Sequence, residues 1–186
     1  MTSKDFLTIT IRGRFAFGIC CIENAITKFE FDHLNWDLLF EFLWRYPLGN
    51  EIKDLALWHE NESECMPFCV LDEKEYEQMF FDYLTKQQFN TFLNLYRQSN
   101  PVICELIDLT AQIGTQSLYG GVRDGSPVTL EYTERIISLL KSNTIPLPDF
   151  DNFKEFTYEI PAKTDWVVWG NKIEYNTLKR ISTTLK

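Results

Sequence analysis

His59, Cys65 and Cys69, with His33 further up the chain, are the residues best suited to hold a metal ion. Their nitrogen and sulfur donors could complete a tetrahedral zinc site. The spacing Cys65-Met-Pro-Phe-Cys69 matches no zinc knuckle, so buried thiols without a metal are the simpler expectation. Nucleophilic chemistry has as little to build on. A Cys–His dyad could draw on Cys20, Cys65 or Cys104 with His33 or His59, but neither histidine sits in a recognised nucleophile or His-Glu-x-x-His setting. Gly120, Gly121 and Gly125 suggest a phosphate cradle, yet the Lys-Ser or Lys-Thr of a P-loop is missing and turn chemistry explains the glycines. Paired carboxylates are common in any acidic chain and single out no acid–base couple. The expectation is a binding protein, not an enzyme, with no cofactor and no metal.

The strongest local signal is electrostatic. Between Glu60 and Glu77 the chain carries Glu60, Glu62, Glu64, Asp72, Glu73, Glu75 and Glu77 against the single base Lys74. That stretch holds −6 of a net charge of −9. Such a field repels nucleic-acid phosphates and anionic lipid and attracts basic partners. Trp58 and Phe68 flank the acids and read either as exposed apolar anchors or as core. The candidate partner-binding set is therefore Trp58, Glu60, Glu62, Glu64, Phe68, Glu73, Glu75 and Glu77. A plainer reading competes with it: a solvated acidic face, with Glu73 and Glu75 stabilising a helix start. The nearest basic patch, Lys172, Lys179, Arg180 and Lys186, is too sparse to predict nucleic-acid binding.

These side chains need a scaffold, and composition supplies one. Fifteen Phe, eight Tyr and five Trp in 186 residues predict a thick core that needs neither metal nor disulfide. Five irregularly spaced cysteines point to reduced thiols and a cytoplasmic protein. The apolar run Phe15 to Ile22 is too short to span a bilayer, and Met1–Lys4 builds no signal peptide.

Three- and four-residue apolar spacing recurs along the chain and predicts an all-α, single-domain bundle of roughly seven to nine helices with short connections, spanning residues 1–186. Leu7, Ile11, Phe15, Ile19, Ile22 and Ile26 form one long stripe, although Leu7, Ile9 and Ile11 also alternate as a strand would. Asn35 caps a second helix through Arg45, and Pro47 and Gly49 end it. Glu51 to Trp58 reads as a short helix and Asn61 to Phe68 as an acidic loop. Asp72 opens a helix with the stripe Tyr76, Met79, Phe80, Tyr83 and Leu84; Phe89, Phe92, Leu93 and Tyr96 mark the next. Asn100-Pro101 starts a segment that is apolar nearly all round through Ile113. Residues 119–127 read as a loop, Thr129 to Leu140 as an amphipathic helix, and Asp149 or Asp151 as the cap of a short helix through Phe156. Trp166 to Gly170 reads as a short strand or turn, and Glu174 to Thr183 as a last helix.

Tyr119-Gly-Gly-Val122, Thr129-Leu-Glu-Tyr132, Ile136-Ile-Ser-Leu-Leu140, Ile145-Pro-Leu-Pro-Asp-Phe150 and Trp169-Gly170 resemble the ending of small helical bacterial proteins, the immunity proteins of polymorphic toxin systems. The resemblance covers about the C-terminal third. Phe15-Ala-Phe-Gly-Ile-Cys-Cys21 is similar to a second all-helical bacterial family. No catalytic residue comes with either. The resemblance implies a protein that neutralises a cognate toxin domain, a basic one, by occluding it. A helical adaptor or scaffold for another cellular protein is the alternative, followed by an enzyme with an unrecognised site.

Overall fold

Thr8-Ile9-Thr10 decides where the first helix begins. Branching at Cβ favours extended backbone in this run, and Ile9 forms an isolated antiparallel bridge to Thr157. Thr10 N–H donates to the Phe156 carbonyl and Tyr158 N–H to the Thr8 carbonyl, each at 2.9 Å. The Thr10 hydroxyl then caps the helix by accepting from Gly13 N–H at 3.2 Å. Helix α1 therefore spans Ile11–Lys28. The stripe expected from Leu7 loses its first member: Leu7 follows a short 3-10 turn, Ser3–Phe6, and is 43% exposed.

The computed structural model describes residues 1–50, 52–72, 76, 81–118, 121–122 and 125–184. Among these the chain is all-α, with no strand. The remaining helices are α2 (Asp37–Leu48), α3 (Ile52–Glu62), α4 (Pro67–Val70), α5 (Lys86–Gln98), α6 (Pro101–Thr115), α7 (Pro127–Ser142), α8 (Asp165–Trp169) and α9 (Tyr175–Ile181), with a 3-10 segment at Phe150–Phe156. No helix among the described residues is long and apolar enough to cross a membrane.

Where local chemistry is strong, sequence and structure agree. Thr85 and Gln88 close a capping box at the start of α5, and Asn100 accepts from Val102 N–H where Pro101 opens α6. Asp149 caps the segment through Phe156. Four expectations change. Asn35 bonds to Asp37 N–H, but Trp36 holds the cap position and α2 runs through Pro47 to Leu48. The supposed loop from Asn61 to Phe68 is helical almost throughout: α3 continues to Glu62, a 3-10 turn covers Ser63–Cys65, and Pro67 starts α4. The helix expected from Asp72 through Leu84 does not reach its end, because Asp82, Tyr83 and Leu84 give their N–H groups to the Glu64 carboxylate instead of to carbonyls one turn back. Met79 and Phe80 of that stripe lie outside the described residues. Trp166 to Trp169 is helical, in α8, rather than a strand or turn, and Gly170 stops it at φ +83°.

Helix α1 is the centre of the bundle, packed on α2, α6, α7 and α8. It is buried on nearly every side, not along one stripe: 15 of its 18 residues are buried, Arg12, Arg14 and Glu23 among them. Gly18 lies against Thr110 and Gly114 against Phe15, so α1 and α6 run antiparallel. A Cβ on Gly18 would fall 2.5 Å from the Thr110 hydroxyl, which makes glycine the condition for this close approach. Phe15 stacks on Tyr46 (4.1 Å between centroids), and Trp58 meets Phe15 edge-on at 5.3 Å, joining α1, α2 and α3.

Two buried guanidinium groups fasten the chain to α1. Arg14 donates to the carbonyls of Phe6, Leu7, Gly125 and Ser126 and to the Thr129 hydroxyl, tying the N-terminal segment to the start of α7. Burial draws its pKa down to about 10, so it stays charged at neutral pH. Arg12 donates to the carbonyls of Tyr46, Pro47 and Gly49, closing the C-terminal end of α2. Replacing Arg14 by Met strands several buried carbonyls, each worth about 1–3 kcal/mol. Arg14→Met should therefore lower the unfolding free energy in urea by at least about 3 kcal/mol. The exposed Arg97→Met should stay within about 0.5 kcal/mol of wild type.

Candidate partner-binding surface

The acidic stretch separates into side chains that hold the fold and side chains that face solvent. Trp58 belongs to the first group: it is 3% exposed, and its indole N–H donates to the Phe42 carbonyl at 2.7 Å. As a core residue it offers no anchor to a partner. Glu62 is also buried and pairs with Arg45 at 2.9 Å, bridging α3 to α2. Burial pushes its carboxyl pKa up, and the bond from Arg45 opposes that. Glu64 accepts from Asp82 N–H (2.8 Å), Tyr83 N–H (3.1 Å) and Leu84 N–H (2.8 Å), which pins the link into α5. Glu60 is exposed on α3, and Phe68 on α4 is 48% exposed. Glu73, Glu75 and Glu77 lie outside the described residues.

Among the described candidates, Phe68 is the one around which a surface assembles. It stands between two hollows. One, of about 420 Å³, is lined by Pro67, Leu71, Asp72, Pro101, Cys104, Glu105 and Asp108 together with Phe68. The other, of about 260 Å³, is lined on the far side of Phe68 by His59, Ser63, Ala111, Gln112, Thr115 and Gln116. Leu71, 42% exposed, adds a second apolar side chain. Among the described residues the larger hollow thus has three carboxylates and no base in its lining. Asp108 orders it by accepting from Phe68 N–H at 3.1 Å. Burial raises the Asp108 carboxyl pKa to about 7; the Phe68 N–H opposes the shift and Glu105 adds to it.

Leu71, Asp72, Glu105 and Asp108 were not among the candidates taken from sequence. A usable signal existed for two of them: Glu105 and Asp108 are the only charged residues of α6, three positions apart on one face of an otherwise apolar helix.

One of the metal donors considered at the outset is drawn into another role. The Cys65 thiol is fully buried, donates to the Glu62 carbonyl, and is pushed well up in pKa by that burial. Among the described residues no three His, Cys, Asp or Glu side chains converge on a metal position. All five cysteines are free thiols.

The chain matches no family model, no curated protein and no solved structure.

The Asp108 carboxyl fixes the sign of one pH effect. In the unfolded chain it ionises near pH 4, but in the folded protein it keeps its proton to about pH 7. Its contribution to stability is thus complete below pH 4 and is lost as the pH rises through 7. Asp108→Asn, which keeps an acceptor for Phe68 N–H, should match wild type in urea midpoint at pH 4 and exceed it at pH 8. A midpoint difference independent of pH would contradict this assignment.

Proposed function

We propose that this protein is a cytoplasmic neutralising protein of the immunity type, which binds a basic toxin domain and occludes it. The observation that carries the reading is the exposed Phe68–Leu71 pair set among Asp72, Glu105 and Asp108, with no base among the described residues that line the hollow. Aromatic and aliphatic side chains at the centre of an interface supply most of its energy, and surrounding carboxylates steer a basic partner and suppress wrong ones. A toxin that grips phosphate must itself be basic, so a net charge of −9 favours rapid encounter. Occlusion needs no catalytic group in the neutralising protein.

The reading assigns different tasks to carboxylates that look alike in sequence. Glu60, Asp72 and Glu105 are exposed and available to guide association. Glu62 and Glu64 act inside the fold, and their reversal would damage it.

The test begins by identifying the proteins encoded beside this one and co-expressing any toxin domain found there with it in a sensitive host. Growth rescue by wild type supports neutralisation; complex formation without rescue supports an adaptor role instead. Within the complex, Phe68→Ala should raise the dissociation constant about 30-fold, the scale of a hot spot worth 2 kcal/mol. The Glu60→Lys, Asp72→Lys, Glu105→Lys triple reversal should slow association at low salt and lose that effect at high salt. Unchanged affinity for Phe68→Ala together with salt-independent rates for the reversal would refute the surface.

A further inference from the structure

A second concave surface lies at the opposite task from the Phe68 hollow: it is a deep cleft rather than a shallow patch. It opens where α1 ends and α2 begins, and residues 183–184 form one wall; its volume is about 660 Å³. Ile26, Leu34, Trp36 and Phe40 give it an apolar lining, and Asp32, Asp37, Glu41 and Tyr175 stand exposed at its edge. Among the described residues no lysine, arginine or histidine lines it. We propose that this cleft receives an arginine side chain presented by a partner chain.

Three observations define that occupant. The first is the disposition of the carboxylates. Glu23 also lines the cleft, making four acids in all, yet no three acidic, histidine or cysteine groups among the described residues converge on a metal position. Charges spread along a cleft suit an extended cation with several donors better than a point charge. A guanidinium has five N–H donors in one plane and forks onto carboxylates.

The second is which acids have capacity left. Glu23 is saturated by Ser182, Thr183 and Thr184, whose hydroxyls and N–H groups converge on it, so it holds the wall in place. Glu41 pairs with Arg45. Asp32 accepts only from the Thr27 hydroxyl, at 3.2 Å, and Asp37 has no base within ion-pair distance among the described residues. Asp32 and Asp37 are therefore the receiving pair.

The third is the aromatic lining. Aromatic rings attract cations, arginine more often than lysine, and a guanidinium is more weakly hydrated than an ammonium. The Lys179 ammonium rests 5.6 Å from the Tyr175 centroid, so this ring at the edge already has a cation partner. Since the acids with spare capacity are at the exposed edge, the cation enters from solvent with its own backbone outside. That geometry fits a side chain on a partner's surface.

The proposal is independent of the Phe68 surface, and its test keeps the two apart. ¹⁵N-labelled protein is titrated with the blocked tripeptide acetyl-Gly-Arg-Gly-amide and, separately, with its citrulline counterpart, which keeps the shape and loses the charge. The arginine peptide should give saturable shifts at Thr27, Asp32, Asp37 and Thr183. Citrulline should bind about tenfold more weakly or worse, the loss of one charge-assisted hydrogen bond. Asp32→Asn with Asp37→Asn should weaken the arginine peptide by a similar factor, with only the small drop in urea midpoint expected from losing the first-turn carboxylate of α2, whereas Phe68→Ala should leave binding unchanged. Equal binding of citrulline, shifts centred on Phe68, or no saturable shift would overturn the proposal. So would tighter binding of free spermidine than of the arginine peptide, which would make the cleft a small-amine site.

Discussion

The constraint on which this fold depends is the burial of two arginines in the first turns of α1 with no carboxylate among the described residues bonded to either. Placing cations at a helix N-terminus works against the helix dipole, and removing them from water is costly. Main-chain carbonyls offset these costs, although the Nε and Nη2 of Arg12 have no hydrogen-bond partner among the described residues. Arg14 gathers carbonyls from the N-terminal segment and the start of α7, and Arg12 gathers the carbonyls that α2 leaves open at its C-terminal end. The positions of α2, α7 and the N-terminal segment are thereby coupled to one turn of one helix. Near the other end of α1, Glu23 does the converse, collecting donors from Ser182 to Thr184. A helix buried all round thus organises its neighbours through charge near both ends and through close apolar packing between them.

This distribution explains what could be read in advance. Helices α5 and α6 were legible because their signals are local: a capping box at Thr85 and Gln88, Asn100 before Pro101, and clean apolar spacing between Phe89 and Tyr96. The start of α1 was not, because the four-residue stripe continues through Leu7 while the preference of Thr8-Ile9-Thr10 is realised only by pairing with Thr157, a partner almost 150 residues away. The segment from Asn61 to Phe68 reads as an acidic loop in sequence but is helical almost throughout. Glu62 and Glu64 in fact bond to Arg45 and to the backbone of Asp82 through Leu84, contacts that no local pattern reveals. The all-α class was legible throughout, since it follows from periodicity rather than from any single residue.

The same contacts move the candidate surface. The sequence concentrates charge in Glu60 to Glu77, whereas the described structure employs two of those acids internally and shifts the exposed group toward Phe68, Leu71 and the face of α6 that carries Glu105 and Asp108. Net charge is a property of the whole surface and sets solubility and encounter rate. Which carboxylates are free to meet a partner is a property of the fold. Trp58 makes the same point for apolar groups: its indole completes the contact among α1, α2 and α3, and the more exposed Phe68 is left to face solvent.

If α1 is the element that everything else is fastened to, its amides should open only when the whole protein unfolds. Native-state hydrogen exchange in increasing, sub-denaturing urea measures this residue by residue. The account predicts that amides from Phe15 to Ile22 exchange with the free energy and urea dependence of global unfolding, together with those of α6 around Thr110. Exchange of α1 through a smaller, urea-insensitive opening while α5 to α7 stay protected would contradict it.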